Sequence, residues 1–146
     1  LAFSRIGEAY GKNGIINEGI KFFKKAIILS PFILDYKFKL VELYITNDQY
    51  DKAYVLLENI KLLNPKRKEV YLNIGYLSIL QKKYDVAETS LKVAISFDPD
   101  YIIAYENLAL LYIKKNNINL ALQNIMKILE IDPNNLKAKL MKNKLN

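Results

Sequence analysis

The sequence predicts an all-α protein, an α-solenoid of antiparallel helix hairpins, and three observations carry that prediction. The four prolines, Pro31, Pro65, Pro99 and Pro133, fall at a constant spacing of 34 residues. Proline cannot continue a helix and restricts the residue before it, so each one acts as a stop. Between the stops two stretches of helical apolar periodicity recur in register. Small residues also return at two fixed points of every unit. A period of this length with two helices per unit marks an array in which each hairpin buries its apolar face against its neighbours.

With each proline placed at position 32, the units run over about 1–33, 34–67, 68–101 and 102–133, without insertions. Helix A is expected at about 2–12, 35–47, 68–81 and 101–115, and helix B at about 17–29, 51–63, 85–97 and 119–131. Position 8 carries Gly7, Gly75 and Ala109, with Val41 as the exception, and position 20 carries Gly19, Ala53, Ala87 and Ala121. Small residues let two helix backbones approach, so these positions mark the crossing of helix A over helix B. Large apolar residues surround it: Ile6, Leu40, Ile74 and Leu108 at position 7, and Phe23, Leu57, Leu91 and Ile125 at position 24. Asn17, Asp51, Asp85 and Asn119 share position 18 and are expected to cap helix B, Asp85 with Glu88 as a capping box. After Pro133, Asn134-Asn135 are expected to cap a short amphipathic helix over 134–146, with Leu136, Leu140, Met141 and Leu145 on one face. It reads as a capping helix for the last hairpin, or as the first helix of a further unit.

The composition excludes several classes of function. No apolar run approaches the roughly 18 residues that a membrane-spanning helix needs. Cysteine and histidine are both absent, which removes disulfides, thiolate ligands and the commonest general base and metal ligand. No glycine-rich phosphate loop and no nucleophile paired with a base is present, so an enzyme is not expected, and neither is a cofactor. The net charge of +7 is almost wholly lysine, since Arg5 and Arg67 are the two arginines. The chain opens at Leu1 already inside a unit, and is therefore expected to be a piece of a longer protein. No signal for localisation is readable, and the cytoplasm is the default expectation.

The units resemble tetratricopeptide repeats, whose pattern has an aromatic at position 4, Leu at 7, Gly at 8, Tyr at 11, Ala at 20, Phe at 24, Ala at 27 and Pro at 32. The first unit supplies Phe3, Ile6, Gly7, Tyr10, Gly19, Phe23, Ala26 and Pro31. The third supplies Tyr71, Ile74, Gly75, Ser78, Ala87, Leu91, Ala94 and Pro99, and the fourth Tyr105, Leu108, Ala109, Tyr112, Ala121, Ile125, Ile128 and Pro133. The second departs most, with Lys37, Val41 and Ile60 at positions 4, 8 and 27. The resemblance implies a right-handed superhelix whose A helices line a concave groove that grips peptides, helices or domains.

In such repeats the groove is addressed by positions 2, 5, 6, 9, 12 and 13. Here those positions supply Phe38, Ile45, Leu72, Tyr76, Ile79, Leu80, Leu110 and Ile113, an apolar strip, part of which is expected to pack between neighbouring A helices. They also supply Asn73 and Asn107, each at position 6, whose amides can donate to and accept from an extended peptide backbone. Glu8, Glu42, Glu69 and Glu106 rim the same surface and favour a ligand with basic residues beside an apolar core. The clamp that the family uses for acidic chaperone tails requires cationic residues and Asn. Ser4 with Glu8, Phe38 with Glu42, and Leu72 with Tyr76 stand there instead.

The expectation is a non-catalytic scaffold for a protein or peptide ligand. Two alternatives stay open. Lys66-Arg67-Lys68, Lys82-Lys83, Lys114-Lys115 and the lysine-rich tail could follow a phosphate backbone. Against this, arginine is scarce and no aromatics interleave with the lysines, so nucleic acid is not the expected partner. Self-association through the uncapped face of the first A helix, with Phe3 and Tyr10, is the other.

Overall fold

The structure, a computed structural model, describes residues 2–145. Among these residues the secondary structure is helical throughout: α1 (Ala2–Lys12), α2 (Ile16–Leu29), α3 (Leu34–Thr46), α4 (Tyr50–Leu63), α5 (Lys68–Leu80), α6 (Tyr84–Phe97), α7 (Ile102–Lys114), α8 (Ile118–Ile131) and α9 (Leu136–Leu145). The chain divides into two compact units, Leu1–Pro65 and Lys66–Asn146. In the first, α1 pairs with α2 and α3 with α4, and α2 packs on α3. In the second, α5/α6 and α7/α8 are the hairpins, and α9 packs on α8.

The crossing of each hairpin sits where the small residues are. A Cβ built on Gly7 would stand 2.8 Å from the Phe23 ring and 3.3 Å from the Gly19 carbonyl oxygen. One built on Gly75 would stand 2.6 Å from Leu91 Cγ. Ala53, Ala87 and Ala121, at position 20, are fully buried, as are Leu57, Leu91 and Ile125 at position 24. In the second unit Ile79, Ala87, Leu91, Leu108, Leu111, Tyr112 and Ala121 form one cluster, and Ala109, Ile125, Ile128 and Ala138 another.

The turns between helices A and B differ from the expected caps. Position 15 is left-handed in every unit, with φ of 75° at Gly14, 54° at Asp48, 59° at Lys82 and 57° at Asn116. Gly14 N–H donates to the Gly11 carbonyl at 3.1 Å and Ile15 N–H to the Tyr10 carbonyl at 2.9 Å. The same pair of bonds recurs from Asp48 and Gln49, from Lys82 and Lys83, and from Asn116 and Asn117. This is the Schellman arrangement, which satisfies the last carbonyls of helix A. It reverses the chain so tightly that the next residue already precedes helix B. Asn17, Asp51, Asp85 and Asn119 therefore lie inside the first turn of helix B and not at its cap. The capping residues are Ile15, Gln49, Lys83 and Asn117, of which Asn117 alone accepts a side-chain cap bond, from Leu120 N–H at 3.1 Å. Asp51 and Asp85 still place negative charge at a helix N-terminus, which the helix dipole favours.

Asn135 caps α9 as expected, accepting from Ala138 N–H at 2.9 Å. The buried face of α9 keeps only half of the expected one, Met141 and Leu145. Ala138 is buried and Met141 and Leu145 are half-buried, whereas Leu136 and Leu140 are 75% and 61% exposed. Ala138 and Leu145 occupy positions 3 and 10, which Val70, Ala104, Leu77 and Leu111 fill in the buried faces of α5 and α7. The helix thus packs in the register of a helix A.

Candidate functional site

The A helices carry every residue singled out for the groove, and each unit presents its own part. In the unit Leu1–Pro65, Phe38 and Ile45 on α3 are half-buried and Glu42 is exposed. Lys39 Nζ reaches Glu42 Oε2 at 3.1 Å, and this bond holds the lysine's pKa above its ordinary value. A cleft of about 360 Å³ opens between α1, α2 and α3, with Glu8 and Glu42 at its mouth. Phe3 and Tyr10 are half-buried, both stacked on Phe22 of the same hairpin at centroid distances of 6.1 and 5.4 Å. Ile6 is 40% exposed, although its counterparts Leu40, Ile74 and Leu108 are at most 5% exposed.

In the unit Lys66–Asn146, α5 is mostly apolar, with Lys68, Glu69, Asn73 and Ser78 as its polar residues. Val70, Ile74, Leu77 and Ile79 are buried, and Leu72, Tyr76 and Leu80 follow one another at i, i+4 and i+8, with Leu72 on the same side as Ile79. Tyr76 and Leu80 are 38% and 37% exposed. Leu72, Leu110 and Ile113 are half-buried against the core cluster. Ile79, expected in the strip, is 1% exposed and belongs to the core, because position 12 faces the neighbouring A helix. Asn73 and Asn107 each donate from Nδ2 to a carbonyl one turn back, Glu69 O and Ile103 O, at 2.8 Å. Each amide keeps its Oδ1 acceptor and one Nδ2 hydrogen, so both can still accept and donate. Glu106 accepts from Lys137 Nζ on α9 at 2.5 Å and is only 17% exposed.

Several charged groups once open to a phosphate reading are engaged within this unit. Lys68 hydrogen-bonds Asp98, whose pKa that bond lowers, and lies 4.5 Å from the Tyr101 ring centroid. Lys115 pairs with Glu88 at 3.4 Å. Glu88 also accepts from Lys92 Nζ at 2.7 Å and from the Tyr112 hydroxyl at 2.9 Å. It is thus a bridge between α6 and α7 and not half of a capping box. These donors, Lys92 first and then Tyr112, bring its pKa from 4.5 down to about 2. Burial, helped by the bond to Glu88, pushes Tyr112 up to about 12. A depressed carboxylate pKa contributes stability that is complete above its ordinary value and is lost as pH falls through the folded value. Stability is accordingly expected to decline between pH 4.5 and about 2, and Glu88→Gln to flatten that decline, as read by urea titration across the range.

An apolar surface that the sequence reading missed lies at the ends of the first two B helices. Ile28, Leu29, Phe32, Leu62 and Leu63 are 69–94% exposed. Comparing position 29 across units, Ile28 and Leu62 against Ser96 and Glu130, gives the signal that could have found it.

The tetratricopeptide repeat family model matches residues 68–101 and 102–135, two consecutive units. The structure is similar over 99% of the chain, and 79% of the other, to TTC0263, a thermophilic TPR protein of Thermus thermophilus, with a TM-score of 0.88 at 23% identity. Residues 68–135 are tetratricopeptide repeats, and the chain as a whole shares their fold. Tetratricopeptide repeats are generally non-catalytic interaction modules, and the fold supports a protein-interaction scaffold. It is also similar to YrrB, described as a TPR protein with an unusual peptide-binding site, over 97% of this chain and 73% of that one, with a TM-score of 0.77 at 22% identity. Among sequence relatives, the uncharacterized protein ycf37 of Cyanophora paradoxa is 32% identical over 104 residues, which are 68% of this chain. The chain spans 60% of that relative's length. No helix among the described residues is long and apolar enough to cross a membrane.

Proposed function

We propose that this tetratricopeptide-repeat chain binds an apolar or amphipathic peptide segment of a protein partner on the surfaces of its A helices, without catalysis. The observation that carries the reading is the α5 stripe of Leu72, Tyr76 and Leu80, in which Tyr76 and Leu80 are more than a third exposed while Leu72 packs against the core. Large apolar side chains left exposed one turn apart on a helix favour a partner that covers them. Acceptors at Asn73 and Asn107 lie on the same A-helix positions, and Phe38, Glu42, Ile45, Glu106 and Leu110 extend the binding surface within their own units. The pairing of Lys68 and Lys115 with carboxylates weighs against a phosphate backbone as the ligand.

Leu80→Asp and Tyr76→Asp are the variants that test it, because both side chains are exposed enough for a charge to remain solvated. Each is expected to lower retention on an array of immobilised dodecapeptides by about tenfold or more, the effect of losing a contact residue. Helical content by circular dichroism is expected to stay unchanged. Equal retention by both variants and the parent chain would remove the α5 stripe from the binding surface.

A further inference from the structure

We infer that the first hairpin holds an anchor pocket for one aliphatic side chain of a bound peptide. The inference rests on the reading of the A-helix surface as peptide-binding. Position 12 of helix A is Gly11 in the first unit and Ile45, Ile79 and Ile113 in the others. The third unit displays what that isoleucine does. Ile79 is 1% exposed in a cluster with Leu91, at position 24, and Leu111, at position 10 of the following A helix. The first unit has the counterparts of both neighbours, Phe23 and Leu43, but no side chain between them.

The space is open in the structure. Phe23, Leu43, Ile16 and Gly11 line the cleft of about 360 Å³. A Cβ built on Gly11 would meet a single neighbour, Leu43 Cδ2 at 3.0 Å. Leu43 is only half-buried, although Leu77 and Leu111 at the same position are 0% exposed. The missing group is therefore a branched aliphatic side chain, and apolar walls of this kind favour such a group over water. The mouth is ringed by two carboxylates, Glu8 and Glu42, and two lysines, Lys12 and Lys39, with Lys39 bonded to Glu42 and drawn to Glu8 as well, so its charges balance.

The test uses dodecapeptides selected on an immobilised random array by the parent chain, with a soluble peptide of their consensus measured by fluorescence anisotropy. The selected peptides are expected to share Leu, Ile or Val at one position. Gly11→Ile is expected to weaken the consensus peptide by about tenfold or more, as loss of an anchor does. Its urea midpoint should hold or rise, since the substitution fills the cleft and removes a glycine from a helix. Gly11→Ala is the smaller companion should isoleucine disturb α1. Replacing the peptide's aliphatic residue with glycine should cost as much on the parent chain and little on Gly11→Ile. Undiminished binding by both Gly11 variants, with binding lost in Leu80→Asp, overturns the anchor and leaves the scaffold reading standing. Binding that neither Gly11→Ile nor Leu80→Asp alters, or an array that retains no peptide, overturns both.

Discussion

Truncating Leu91 to alanine is expected to lower the unfolding free energy by about 3 kcal/mol, within the range for a large buried aliphatic residue. Leu91 is fully buried in the cluster that joins α5, α6, α7 and α8, so the cavity has walls on several helices and cannot close by moving one. Its partner in this effect is Gly75. A Cβ on Gly75 would sit 2.6 Å from Leu91 Cγ and 2.8 Å from Cδ2. Alanine within a helix ordinarily gains about 1 kcal/mol over glycine. Here overpacking outweighs that gain, and Gly75→Ala is expected to cost about 1 kcal/mol net. In Gly75→Ala/Leu91→Ala the clash disappears and the new methyl enters the cavity. The double variant should therefore be more stable than the two single effects predict, by about 1 kcal/mol of coupling. Urea melts of the four proteins measure this. A stabilising Gly75→Ala would mean that the α5/α6 crossing has room to spare.

Much of this fold was legible because the features that fix it are local and repeat. The proline period sets the length of each unit, and positions 8, 20 and 24 set the crossing, with the same burial wherever the residues are alike. The start of helix B was misread for a physical reason. Asn17, Asp51, Asp85 and Asn119 have good capping chemistry, but the left-handed residue at position 15 decides where the helix begins. One of its four occupants, Lys82, is not a residue that favours this conformation, which hides the turn. The leucines of α9 misled in another way: packing followed the register of the repeat, which selects Ala138 over Leu136 and Leu140. Within the candidate site, position alone placed the residues on the A helices but could not separate Ile79, buried against the next A helix, from Tyr76 and Leu80. The cleft at Gly11 was visible as a glycine among isoleucines. Its significance required knowing what the isoleucine covers.

Replacing Phe22 with alanine is expected to open α1 at a cost of about 3 kcal/mol, combining lost apolar burial with two aromatic contacts of about 1 kcal/mol each. Phe22 lies between Phe3 and Tyr10, nearly parallel to the latter at 5°, and Lys25 Nζ stands 5.5 Å from its ring centroid. Position 23 holds Leu56, Ser90 and Asn124 in the other units, so this clamp belongs to the first hairpin alone. The hairpin needs it. Helix α1 has 11 residues, and a helix of that length is marginal in water without tertiary contacts. Phe23 alone cannot hold it, because its ring meets α1 at Gly7, which offers no side chain. The loss should therefore be local, with faster hydrogen exchange in α1 and unchanged protection in α6 and α8. Phe22→Leu keeps part of the burial and loses the stacking, and should fall about midway. If exchange in α1 stayed at the parent rate, the crossing at Gly7 and Gly19 would be sufficient to hold the helix. Because Gly11 lies one residue beyond Tyr10, opening α1 would also dismantle the proposed anchor pocket. Phe22→Ala should then weaken the consensus peptide as Gly11→Ile does, but with the urea midpoint lowered.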